Sequence, residues 1–222
     1  MSTIPSKNKT PWPTKEVMIQ IYQLYLWGGK EYEFYSGDGS HDITIIEPYQ
    51  EVVIRFLQSF DEPLIVCDLG CGDFNVGKKF VSFTKKYIGV DIVPDLIERN
   101  KNRFQAENLS FQCLDLATDE LPKGDCAIIR QVLQHLSNHE IQKIIQKLSA
   151  YQYVILTEHL PSGDFVPNKD KIASQGIRLK QQSGINLIES PFNWDVLSSK
   201  ELLSIELAPG KGKIITTLYN VF

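Results

Sequence analysis

Between residues 63 and 159 short apolar runs alternate with polar or amphipathic stretches. This alternation limits the possible folds more than any other feature of the chain. "PLIVCDLG" (63–70), "KYIGVDIV" (86–93), "LSFQCLD" (109–115), "DCAIIRQ" (125–131) and "YQYVILTEH" (151–159) each have the length and apolarity of a buried strand. Between them, "VGKKFVSFT" predicts a short helix, and "VPDLIERNKNRF" a helix with Pro94 in the tolerated first turn. "LATDELPKG" reads as a loop, and Ser137-x-x-Glu140 has the form of a capping box. Ile141, Ile144, Ile145 and Leu148 follow it at helical spacing. Buried strands alternating with helices form parallel βαβ units with helices on both faces of the sheet. The C-terminus breaks the rhythm: "SKELLSIEL", the turn "APGKG" and "KIITTLYNVF" predict a hairpin, and a hairpin joins antiparallel strands. The expected class is α/β, a mostly parallel sheet with helices on both faces and a C-terminal antiparallel hairpin.

Upstream of the first strand, "KEVMIQIYQLYLW" suggests a helix. "WGGKEYEFYSGDGSHD" is a glycine- and aromatic-rich loop, and "PYQEVVIRFLQSF" is an amphipathic helix with Tyr49, Val52, Val53, Phe56, Leu57 and Phe60 on one face. The organisation read from this is an N-terminal helix and glycine-rich lid over 1–48 and a catalytic domain over 49–222. Residues 160–197 are rich in Pro, Gly, Ser and Asn and too long for an idle connector, so they are expected to be a substrate-binding insertion.

A length of 222 residues is enough to bury a real core. A formal net charge of −4 with no basic run lacks the electrostatic footprint of a general nucleic-acid binder. Cys67, Cys71, Cys113 and Cys126 form no C-x-x-C pair and the histidines are scattered, so buried reduced thiols are expected and no metal. "MSTIPSKNKTPWP" has no apolar core of a secretory signal, and no run approaches the length of a membrane span. A soluble cytoplasmic protein with a small-molecule partner is expected, with neither nucleic acid nor membrane. Nothing in the sequence specifies an oligomeric state.

In an open parallel sheet, ligands bind beyond the carboxyl ends of the strands. The first strand ends in Asp68 and a turn holding Gly70, Gly72 and Gly77; the next two end in Asp91 and Asp115, the fourth in Arg130 and Gln131, the fifth in Glu158 and His159. Carboxylates accept hydrogen bonds and repel phosphates. Asp91 suits the two hydroxyls of a ribose, Asp115 an exocyclic adenine amine, and Asp68 an ammonium or bound water. A nucleoside with an amino-acid end and no phosphate satisfies all three, as S-adenosylmethionine does. The competing ligand is NAD, for which Gly70, Gly72 and Asp91 match part of the usual G-x-G-x-x-G signal. Asn75 takes the third glycine's place there, and Asp68 and Asp73 would oppose a pyrophosphate.

"VCDLGCGDF" resembles the first motif of class I S-adenosylmethionine-dependent methyltransferases, D/E-x-G-x-G; "YIGVDIV" resembles their second-strand acid, "FQCLDL" their adenine-side motif, and "DCAIIRQVLQHLS" their fourth strand and the L-x-H-L turn after it. The resemblance covers about residues 50–160, and the terminal hairpin more weakly. It implies a Rossmann-like seven-stranded sheet, S-adenosyl-L-methionine as cofactor and S-adenosyl-L-homocysteine as product. It implies cofactor contacts from Asp68, Gly70, Cys71, Gly72, Asp91, Ile92, Asp115 and Leu116, with the backbone near Arg130 and Gln131 on the methionine or sulfur side. Many members place a third glycine two residues after the second; Phe74 stands there in this chain.

Transfer to an oxygen or nitrogen acceptor is an SN2 displacement in which the protein mainly aligns the reactants. His135, His159, Glu158 and His41 are candidate bases near the expected mouth. Glycine amides of 37–40, Gly37 and Ser40 among them, are expected to meet the methionine carboxylate. Trp27, Tyr32, Phe34, Tyr35 and His41 are candidate walls of the acceptor pocket, and Phe165, Arg178, Phe192 and Trp194 its complement from the insertion. "RQVLQ" replaces the N/D-P-P-Y/F motif of nucleobase-amine methyltransferases, which argues for a small metabolite or sugar-like acceptor. A catalytically silent S-adenosylmethionine-binding sensor or partner subunit is the alternative from another class.

Overall fold

The computed structural model describes residues 11–222; the polar N-terminal decapeptide lies outside them. Two helices come first, α1 (Thr14–Gln23) and α2 (Ile43–Leu57). They are followed by β1 (Ile65–Leu69), β2 (Lys86–Asp91), α3 (Pro94–Arg103), β3 (Leu109–Cys113), β4 (Cys126–Arg130), α4 (Asn138–Leu148) and β5 (Tyr153–Leu160). The hairpin β6 (Ser198–Glu206) and β7 (Lys213–Asn220) closes the chain. The seven strands lie in the order β3-β2-β1-β4-β5-β7-β6. β1 to β5 are parallel, and β7 runs antiparallel between β5 and β6.

Alternation along the strands sorts the core into two layers. Cys67, Leu69, Ile88, Val90, Ala127, Ile129, Val154 and Leu156 face α1 and α4, with Ile141, Ile144, Ile145 and Leu148 supplying the α4 stripe. Val66, Tyr87, Cys126, Ile128 and Ile155 face α2, through Tyr49, Val53 and Leu57. The capping box at the start of α4 is formed: Ser137 Oγ accepts from Glu140 N and the Glu140 carboxylate accepts from Ser137 N.

Three local expectations change. α2 starts at Ile43, ahead of the expected Pro48, because Asp42 caps it by accepting from Thr44 N (2.9 Å) and Ile45 extends its buried stripe. It therefore runs unbroken across residue 48. Residues 76–84 form two 3₁₀ turns, Gly77–Lys79 and Val81–Phe83, instead of an α-helix. A glycine and three β-branched residues in nine positions favour helix poorly, while Val76, Phe80 and Val81 still bury themselves against the α2 layer. Finally, Cys113 is exposed at the end of β3, whereas Cys67 and Cys126 are buried as expected; all four thiols are free.

Residues 161–197 contain no strand or α-helix, only a 3₁₀ turn at Arg178–Gln181. Buried side chains hold this segment down. Ile185, Leu187, Phe192 and Trp194 join the α4-side core. Asn168 donates to Asn186 O and Ser190 O (2.7 and 3.0 Å) and accepts from Asn186 N (2.9 Å). No helix among the described residues is long and apolar enough to cross a membrane.

Candidate active site

A cavity of about 910 Å³ opens over the carboxyl ends of the strands. Its floor is the turn after β1. Gly70 N and Cys71 N both donate to Val90 O (2.8 and 2.9 Å), folding the turn back across β2. Gly70 has φ +90°, and a Cβ there would lie 2.3 Å from Val132 Cγ2, so only glycine fits. Gly72 N donates to Asp91 Oδ2 and Val93 N to Asp91 Oδ1 (both 3.1 Å), so backbone amides fix that carboxylate at the end of β2. Each of its oxygens keeps a further lone pair for a ligand. Burial pushes Asp91 up to about 6, against the lowering effect of those amides.

Asp68, also buried and lining the cavity, accepts from Tyr87 Oη (2.8 Å). Burial raises it to about 7, and Tyr87 and the Arg130 guanidinium moderate the shift. Asp115 lies two residues beyond the end of β3, in a turn where it accepts from Ala117 N (2.8 Å); it too lines the cavity, with Ile92 and Leu116 beside it. Arg130, at the end of β4, holds its guanidinium 4.9 Å from the Tyr49 ring centroid. It donates to Ser40 Oγ (3.2 Å) and to Gly39 O. Gln131 follows with φ +56°, an uncommon conformation for a residue with a side chain, and its N–H donates to Thr157 O (2.7 Å).

The loop of residues 28–41 forms a wall of this cavity and is bonded to the glycine turn. Asp73 N donates to Ser36 Oγ (2.8 Å), Ser36 N to Asp73 Oδ2 (3.0 Å), and Asn75 Nδ2 to Ser40 O (2.8 Å). His41 Nε2 sits 2.6 Å from Asp73 Oδ2. Burial alone would raise Asp73, but the bonds from His41, Ser36 and Asn75 outweigh it and hold the carboxylate below its usual range. Gly37, Ser40 and Trp27 line the cavity.

Residues 66–151 match the family model described as a methyltransferase domain. That segment matches a methyltransferase domain, and it lies within the seven-stranded sheet described above. N-methyltransferase NodS from Bradyrhizobium japonicum WM9, solved with S-adenosyl-L-homocysteine, superposes with TM-score 0.63 at 10% identity over 92% of this chain and 98% of its own. Magnesium protoporphyrin IX methyltransferase from Synechocystis PCC 6803, solved with bound SAM, gives 0.59 at 16% identity over 96% and 100%. Human N-acetylserotonin methyltransferase in complex with SAM gives 0.56 at 17% identity, over 94% of this chain; the chain spans 60% of the human protein. No curated protein matches the chain in sequence.

The 161–197 insertion and the hairpin close the far side of the cavity. Gln175, Gly176, Ile177 and Lys180 come from the first, Leu207, Ala208 and Lys211 from the second, and His159 and His135 stand between. His135 is committed: Nδ1 donates to Ser174 O (3.2 Å), Nε2 lies 3.4 Å from Gln134 Nε2, and the ring packs 5.2 Å from Trp27. Burial lowers it to about 4, helped by Lys171. His159 Nε2 donates to Lys211 O (2.5 Å).

Several expected site residues lie elsewhere. Glu158 is buried outside the cavity lining, and its carboxylate accepts from Leu133 N and Gln134 N (both 3.1 Å). Arg178, expected on an anionic acceptor, is 1% exposed and instead donates to the carbonyls of Lys169, Leu133, Gln134 and Leu136 and to Asn138 Oδ1. Phe192 and Trp194 are core residues, with Trp194 Nε1 donating to Ser149 Oγ (3.2 Å). Phe165 is half-buried away from the cavity. Tyr35 stacks between Tyr32 and His41 (5.5 and 4.3 Å) behind the wall, its hydroxyl on Asp38 (2.6 Å). Conversely, Thr14, Met18 and Tyr22 line the cavity from one face of α1, a spacing of four that is legible in the sequence. Tyr49, read as core, is both core and lining.

Proposed function

We propose that the chain is an S-adenosylmethionine-dependent methyltransferase that transfers a methyl group to an oxygen or nitrogen of a small-molecule acceptor. The observation that carries this is the ring of carboxylates around the glycine turn. Asp68, Asp91 and Asp115 line one cavity at the ends of three adjacent parallel strands. That set of acceptors fits a nucleoside without phosphate and opposes a pyrophosphate. Asp91 would hold the ribose, Asp115 the adenine amine, and the backbone of 70–72 together with Asp68 the amino-acid end. When bound, the cofactor supplies a methyl group activated on a sulfonium. The chain's own part is to orient the acceptor and keep water away, through α1, the 28–41 loop, the insertion and the hairpin turn.

The small-molecule reading rests on the enclosure of the acceptor side by those segments and on the net negative charge. Fold alone does not choose an acceptor. The four free thiols suit a reducing compartment such as the cytoplasm. Calorimetry with S-adenosylhomocysteine and with NAD tests the ligand: binding of the first and not the second is expected, and the reverse refutes the reading. Transfer of labelled methyl across a metabolite panel separates an enzyme from a silent binding protein.

A further inference from the structure

We propose that His159 is the general base of the reaction, taking a proton on Nδ1 from a hydroxyl acceptor, and that the β6–β7 turn holds it in the tautomer this requires. The inference rests on the methyltransferase reading above and deepens it.

The tautomer follows from the hydrogen bond. A carbonyl oxygen only accepts, so the 2.5 Å contact from His159 Nε2 to Lys211 O places the proton on Nε2. Nδ1 is then the lone-pair nitrogen, and it has no partner among the described residues. The turn that presents this carbonyl is fixed. Leu207 N donates to Gly212 O (3.0 Å) and Lys211 N to Ala208 O (2.9 Å). Gly212 has φ +76°, and a Cβ there would sit 2.2 Å from Leu160 O. Burial also lowers the pKa of His159, which keeps the ring neutral and able to accept a proton. The other candidates are already engaged: both nitrogens of His135 have partners, and Glu158 holds two amides outside the cavity.

The surroundings select the acceptor. The carboxylates lining the cavity come from other segments of the chain; the charged residues that the insertion and the hairpin contribute are Lys180 and Lys211. A cationic amine is disfavoured beside two lysines, and an oxygen gaining negative charge is favoured. As the acceptor oxygen bonds to the methyl carbon, the carbon–sulfur bond breaks with its electron pair on sulfur. The O–H proton passes to Nδ1, and the positive charge of the sulfonium reappears on the imidazolium.

The test uses the full chain and tritiated-methyl donor with phenol, 4-hydroxybenzoate and benzylamine as acceptors. Transfer to the phenols over benzylamine is expected. His159→Gln keeps a donor for Lys211 O and removes the base. It should bind S-adenosylhomocysteine within twofold of the parent while kcat falls a hundredfold or more, in line with the usual ~10²–10⁴-fold share of general acid–base catalysis. The activity of the parent should show an acid limb below the ordinary imidazole value that the variant lacks. Of the other titratable or charged groups, Lys180, Lys211 and His135 line the same cavity, Glu158 precedes the ring on β5 with Arg178 beside its carboxylate, and Lys213 on β7 pairs with Leu160. Nitrogen-15 NMR of the histidines should show an Nε2–H tautomer for the signal missing in His159→Gln. An Nδ1–H tautomer, a loss of kcat under tenfold, transfer to benzylamine alone, or no transfer to either phenol by protein that binds S-adenosylhomocysteine would overturn the proposal. Failure of the parent to bind that nucleoside would instead remove the methyltransferase reading beneath it.

Discussion

Replacing Arg178 with methionine should destabilise the protein severely although it removes a charged residue from a loop. Three carbonyls, those of Gln134, Leu136 and Lys169, have no donor other than Arg178 among the described hydrogen bonds, whereas Leu133 O also accepts from Leu136 N. A buried polar group left without a partner costs about 1–3 kcal/mol, so the three together give about 3–9 kcal/mol. Lys169 is exposed, so water can reach that carbonyl, and an effect of about 3–5 kcal/mol is expected, the range for removing one member of a buried polar cluster. For a chain of 222 residues, about 2–4 °C per kcal/mol corresponds to a fall in Tm of about 6–20 °C. Urea unfolding followed by tryptophan fluorescence measures it. Arg178→Lys, with one compact ammonium for five acceptors, should recover only part of the loss. A loss under about 1 kcal/mol for the methionine variant, the size of an ordinary surface substitution, would refute the reasoning.

With Asp91 holding the ribose as proposed, affinity for S-adenosylhomocysteine should fall as pH drops below about 6, by up to tenfold per unit, because burial lifts Asp91 to about 6 and only the ionised form accepts from both hydroxyls; calorimetry between pH 5 and 8 checks this, and Asp91→Asn should flatten the curve. Gly70→Ala should abolish that binding, since its φ of +90° and the 2.3 Å approach to Val132 Cγ2 both exclude a side chain; retained affinity would show that the turn is not the ligand's floor. The ligand-free protein should lose stability as pH rises from about 4 to 8. Burial raises Asp68 to about 7 and Glu158 to about 8 in the fold, so their contribution is full below the unfolded carboxylate value and is lost between that value and these raised ones. The slope is at most about 1.4 kcal/mol per pH unit for each group, and a urea midpoint that rises over that interval would contradict the assignment.

The strands and the acids at their ends were legible because burial on both faces forces long apolar runs, and the residues that line a cavity over the carboxyl ends must follow them. The capping box at Ser137 was legible because both its bonds are local. Arg178 and Glu158 were not. In sequence they are a cation in a polar segment and an acid near a strand end; only the fold shows that one collects the carbonyls and the other the amides of the same turn after β4. Phe192 and Trp194 depart from expectation for a related reason: aromatic residues in an irregular segment suit a pocket and a core equally well, and the long insertion needs its own anchors. The start of α2 was hidden by Pro48, which sits inside the helix.

Phe74 explains how the turn departs from the family pattern while keeping its shape. Its φ is +63°, the left-handed region where a third glycine would be at ease. For a residue with a Cβ that conformation costs about 1–2 kcal/mol. The side chain offsets it: the ring is fully buried and meets Tyr87, Phe104 and Phe111 edge-on at centroid distances of 5.7, 5.1 and 4.8 Å. Burying such a side chain contributes about 1.5–3 kcal/mol, and each aromatic pair adds about 0.5–1.5 kcal/mol. The close approach that needs a glycine falls instead at Gly77, where a Cβ would lie 2.6 Å from Asp68 Oδ2 and 2.7 Å from the Phe74 ring. Phe74 and Gly77 therefore act as a pair: the ring occupies the space beside the turn, and the missing side chain at 77 leaves room for the ring and for the Asp68 carboxylate under the cavity.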